Sequence, residues 1–136
     1  MGCNVQDINF LAVIVAAASS FLVGGLWYSA ALFGAAWNRE NGSPSKSQGA
    51  GHPAKVFGVS FVFSLVAAFA FALWLGAAPP LPTALTHGLL AGFGMVAASF
   101  GINYQFANRS TLLWLIDGGY HTVQFLLFGL ILGLWH

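Results

Sequence analysis

The stretch Leu112–Trp135, LLWLIDGGYHTVQFLLFGLILGLW, decides the fold. About 20 apolar residues suffice for a helix to cross a bilayer, and this run meets that length. It nevertheless carries Asp117, Tyr120, His121 and Gln124. A helix turns roughly 100° per residue, so these four share an arc of about 100°, with Gly129 and Gly133 on another side. Asp117 is the only acid between Glu40 and the C-terminus. A charge at that depth is costly, so it must face protein or water, which marks a candidate functional site.

The rest of the chain has the same character. Of its 136 residues 58% are hydrophobic and 5% charged, against about 25% charged in a soluble domain. So few charges cannot coat a water-facing surface. Strands of a transmembrane barrel alternate polar and apolar residues over about ten positions, whereas the apolar runs here are solid and longer. The expectation is an all-α membrane protein. A net charge of +1 argues against nucleic-acid binding, and the single cysteine, Cys3, excludes an internal disulfide. The start MGCNVQ lacks the Ser or Thr that a myristoylation signal has at position 6. The first apolar run has no basic n-region and is read as a retained helix.

Working outward, the spans are expected at 8–30, 56–76, 84–107 and 112–135, an up-down bundle of four transmembrane helices in one domain. Asn4, Gln6, Asp7 and Asn9 precede the first as cap-like residues. Each span has a stripe of small residues that allows close helix approach in lipid: Ala12, Ala16, Ser20 and Gly24; Ser60, Ser64, Ala68, Ala72 and Gly76; Gly88 and Gly92; Gly129 and Gly133. By helical phase Ser99 and Asn103 share the stripe of Gly88 and Gly92. Trp27, Tyr28 and Trp37 gather where the first span should exit, as interfacial aromatics do. Pro79, Pro80 and Pro82 force a tight connection and start the third helix. Residues 38–55, rich in Gly, Ser and Pro, read as a flexible loop. Arg39, Lys46, Lys55 and Arg109 all fall in the first and third connections, which puts that side in the cytoplasm and both termini on the other.

The polar residues admit two readings. Asp117 lies about 9 Å along its helix from Thr111. It could belong to a proton or cation relay with His121 and Gln124, within a polar intramembrane cluster that also holds Tyr120 and Asn103. The preferred reading is a structural clamp bonded to Asn103 or to a snorkelling Arg109. His121 and His87 differ in depth by roughly 15 Å, so one haem iron could not take both. No cofactor is expected; a single His ligating a pigment magnesium, at His121 or His87, is the one exception left open. No set of three or four convergent metal ligands is evident. No zinc-protease motif, phosphate loop or cysteine site occurs, so no catalytic residues are assigned and an enzyme is not expected.

Two patches resemble a known family. Gly25-Leu26-Trp27-Tyr28-Ser29, followed by Leu32-Phe33-Gly34 and Trp37, looks like the signature of the DUF1761 family. The later Asn103, Arg109 and Ile116-Asp117-Gly118-Gly119-Tyr120-His121 are similar to its C-terminal pattern. The resemblance spans most of the chain apart from the loop. It implies a small bacterial multi-spanning membrane protein and carries no activity to transfer. The function expected is that of a non-enzymatic protein of the bacterial inner membrane. It would be an accessory subunit of a larger complex, or a homo-oligomer packed through small-residue faces. The alternative is a small transporter or channel with a polar path through Asp117, His121 and Gln124.

Overall fold

The computed structural model describes residues 5–41 and 53–136. Cys3, Asn4, Lys46, His52 and the middle of the expected loop lie outside the described residues. No strand occurs among those described, and four helical spans are long and apolar enough to cross a membrane. After a short 3₁₀ turn, Val5–Asp7, the chain forms α1 (Phe10–Trp27), α2 (Gly34–Asn41) and α3 (Pro53–Leu75). The third span is continuous but composite: α4 (Leu81–Leu89), a π-helical stretch (Leu90–Ala97) and α5 (Ala98–Phe106). The fourth is α6 (Thr111–Leu134).

The helix ends follow local chemistry. Asn9 Oδ1 accepts from the Ala12 amide at 3.0 Å, and Ser110 Oγ from the Leu113 amide at 3.1 Å. Each satisfies an amide that the first turn leaves open. At the end of α5, Asn108 takes φ +56°. The Asn108 amide then donates to Gln105 and the Arg109 amide to Tyr104, at 3.2 and 2.8 Å, which is a Schellman stop with Asn in the left-handed position. Gly76 closes α3 at φ +91°, a conformation open mainly to glycine.

Small residues decide the packing. Ala12, Ala16 and Ser20 of α1 are fully enclosed against α3, where Ser64, Ala68 and Ala72 are buried. Ser20 and Ser64 hydroxyls meet at 3.1 Å across this contact. On the other side α4 lies directly on α6. A Cβ on Gly88 would come within 2.5 Å of the Phe125 carbonyl, and one on Gly92 within 2.7 Å of Thr122 Cα. One on Gly129 would strike the Ala84 carbonyl. The glycine stripes of the third and fourth spans are therefore filled by each other's backbones. Phe71, Phe128 and Leu132 fill the core between the two pairs.

Three expectations are revised. The helix after the first span turns back as α2, so Asn38–Asn41 are helical rather than loop. Ser60 is exposed and packs against no stripe. Ser99 and Asn103 are also exposed. The π-helical stretch explains the last point: its i→i+5 bonds widen the turn, so each residue advances less than an α-helical step. Residues beyond Ala97 are thereby rotated off the face that Gly88 and Gly92 share.

Candidate functional site

Asp117 is the centre of an aromatic cage. Tyr28 Oη donates to its Oδ1 at 2.6 Å and Trp37 Nε1 to the same oxygen at 3.0 Å. Tyr104 Oη donates to Oδ2. The three donors come from different places: the turn after α1, the middle of α2, and α5. The local fold brings them in. The chain reverses within residues 28–33, with the Phe33 amide donating to Trp27 at 3.0 Å and the Gly34 amide to Ser29 at 2.9 Å. Gly34 permits this, since a Cβ there would lie 2.5 Å from the Tyr28 carbonyl. The reversal lays α2 back against α6 and aims Trp37 at the acid. Tyr28 and Trp37 meet edge to face, 5.9 Å between centroids, and Trp27 Nε1 donates to the Ile116 carbonyl at 2.9 Å. The aromatics expected at an interface therefore bond into the bundle.

The partners suggested for Asp117 are elsewhere. Arg109 Nη1 donates to Asn41 Oδ1 at 3.1 Å and to the Asn41 carbonyl at 3.2 Å, closing the end of α2 onto the α5–α6 turn. Asn103 points away, whereas Tyr104 beside it reaches the carboxylate. Nor does His121 bond Asp117. Its Nδ1 lies 2.7 Å from Gln124 Oε1, one turn deeper. Tyr120 Oη donates to the Ser20 carbonyl at 3.0 Å, tying α6 to α1, and its ring lies 3.1 Å from where a Gly24 Cβ would sit. The expected polar cluster is thus two units: Asp117 in its cage, and His121 with Gln124 further along the helix.

The second unit faces a cleft of about 720 Å³. Phe21, Phe57, Phe63, Val96, Phe100 and Phe125 give it apolar walls, while Tyr28, Tyr120, His121 and Gln124 form a polar strip. No Asp, Glu, Lys or Arg lines it among the described residues. It arises because α3 packs on α1 and shares no comparable face with the third span. Those two meet near the proline turn, where Trp74 lies on His87 with centroids 4.5 Å apart, and diverge beyond it. His87 is engaged there, its Nδ1 2.9 Å from the Thr83 carbonyl. Ser60, read as a packing residue, lines the cleft instead.

The π-helical stretch borders this site. Trp114 Nε1 donates to the Ala97 carbonyl at 2.7 Å, which ties α6 to the point where the helix returns to α geometry. Immediately beyond, the Phe100 ring stacks on His121, centroids 5.1 Å apart and planes 19° from parallel. Hydrogen bond, stacking and the edge of Tyr120 at 5.0 Å together fix the imidazole. Sequence reasoning missed Tyr104 and the cleft. The signal for Tyr104 was available: a buried acid without a nearby cation needs hydroxyl or indole donors at its own depth.

No curated protein and no solved structure matches the chain. The family model described as "Protein of unknown function (DUF1761)" matches residues 11–133, which contain the caged acid, the lining of the cleft and all of the four spans but their outermost residues Phe10 and Leu134. The chain belongs to the DUF1761 family.

Proposed function

We propose that this is a non-enzymatic integral membrane protein that works by association inside the bilayer, with the cleft between α3 and the third span as its binding surface. The observation that carries this is the cleft itself: apolar walls with one polar strip, the usual make-up of a binding site. The glycine faces, the other candidate for association, are taken up between α4 and α6. A non-catalytic role is supported by the engagement of the reactive groups. The Ser64 hydroxyl is bonded to Ser20 and to the Ala17 carbonyl, and His121 is paired with Gln124 rather than with an acid. The basic residues Arg39, Lys46, Lys55 and Arg109 favour a cytoplasmic position for their side, in a bacterial inner membrane. On this reading the protein serves as an accessory component that carries what the cleft holds.

Site-specific photo-crosslinking tests the reading. Benzoylphenylalanine at Phe63, in the cleft wall, should yield one defined adduct in native membranes. At Leu115, exposed on α6 outside the cleft, it should yield only bulk lipid. The same products at both positions would contradict the proposal.

A small transporter is the second reading, because Tyr28 both lines the cleft and bonds Asp117. The acid therefore sits one hydrogen bond behind the cleft wall. Transport would be abolished by Asp117→Asn with the fold intact. Substrate flux unchanged in that variant would remove it.

A further inference from the structure

We propose that the cleft binds a neutral, largely apolar molecule bearing one hydroxyl or phenol, whose O–H donates to His121 Nε2. This rests on the cleft being the association site and names its occupant. Gln124 is buried and turns Oε1 toward His121 Nδ1; this contact favours the neutral tautomer with its proton on Nδ1, in which Nε2 is an acceptor. Nε2 has no hydrogen-bond partner among the described residues. No enclosed side-chain polar atom there lacks a partner, so Nε2 is reachable, and His121 lines the cleft. The two tyrosine hydroxyls of the polar strip already donate, to Asp117 and to Ser20. The fixed imidazole is therefore a preorganised acceptor in an apolar setting, and it calls for a donor on the ligand.

Charge and shape narrow the class further. With no Asp, Glu, Lys or Arg among the described residues of its lining, the cleft would strip an ionic group of water and return no carboxylate, ammonium or guanidinium counter-charge. A neutral molecule meets no such penalty. The volume, about 720 Å³, falls within the roughly 300–1,000 Å³ of small-molecule sites. A transmembrane helix of a partner would have to lie along the whole groove. The Trp74–His87 contact closes one end of it, which stops a helix and leaves room for a compact prenyl or acyl alcohol or an alkyl phenol.

The test uses the full-length protein in lipid nanodiscs, with tritiated geranylgeraniol as probe and empty nanodiscs to subtract partitioning. Saturable binding near one per chain is expected. Geranylgeranyl methyl ether, which keeps the apolar body and lacks the donor, should compete about tenfold more weakly, the worth of one hydrogen bond. His121→Phe should bring the two ligands level, and Ser60→Trp, which fills the cleft from an exposed position, should abolish both. The alcohol–ether comparison is made on the unmodified chain and needs no variant to fold. Equal competition by the ether, or discrimination that survives His121→Phe, would overturn the assignment of His121 as acceptor. Absence of saturable binding would overturn the ligand class, while a defined adduct at Phe63 would still uphold the cleft as an association surface. Saturable binding of a magnesium porphyrin ester that is lost in His121→Phe would overturn the hydroxyl class in favour of direct ligation.

Discussion

Replacing Asp117 by Ala should release α2 from the bundle. That helix has only eight residues, too few to persist on propensity in isolation. Its ties include Trp37 to Asp117, the Tyr28–Trp37 ring contact and Arg109 to Asn41. The Ala variant removes the acceptor shared by Tyr28, Trp37 and Tyr104. Polar contacts within membrane proteins average about 0.6 kcal/mol and reach about 1.7. Three of them lost together therefore cost about 2–5 kcal/mol. Asp117→Asn should cost far less. Its Oδ1 can keep Tyr28 and Trp37, and the Tyr104 hydroxyl can rotate to accept from the new amide. Reversible unfolding in mixed micelles reads the stability, and hydrogen exchange over residues 34–41 reads the detachment. Protection of that segment should collapse in Asp117→Ala and persist in Asp117→Asn. An Ala variant as stable as the parent, with 34–41 still protected, would refute the cage as the clamp on α2.

Three further outcomes follow from local geometry. Gly129→Val should force α4 away from α6 and cost about 3 kcal/mol or more by overpacking. Gly58→Val, with open space around its Cβ, should stay within about 0.5 kcal/mol in the same unfolding assay. Asn108→Ala puts at φ +56° a residue that adopts the left-handed region less readily than Asn and should cost about 1 kcal/mol, while Asn108→Gly should not destabilise. Trp114→Phe removes the donor to the Ala97 carbonyl. Amide exchange around residues 97–101 should speed up, with the remainder of the third span unchanged.

The spans themselves were plain in the sequence, because length and uninterrupted apolarity are what a bilayer demands. The third is the instructive case. Residues 84–107 read as one regular helix, and its lipid-like composition gives no sign of the π-helical stretch at Leu90–Ala97 that turns Ser99 and Asn103 outward. Asp117 announced itself by cost alone, but its donors could not be chosen without α2. Trp37 is 80 residues away in the chain, and only the reversal at Gly34 brings it home. Trp27 and Tyr28 carried the right polar atoms, and their aromatic character pointed to the interface first. The glycine stripes were equally visible. Which way they faced was a question of helix rotation, and rotation is not encoded in a helix apolar all round. The cleft is hidden for the same reason: α3 bears Val and Phe toward the membrane and toward the cavity alike.

The most direct measurement is the intact mass of the particle released gently from native membranes, for the unmodified chain and for Ser60→Trp. The account predicts one defined non-polypeptide mass per chain in the first and its loss in the second. A bare chain in both, or a polypeptide partner whose binding Ser60→Trp leaves untouched, would contradict it.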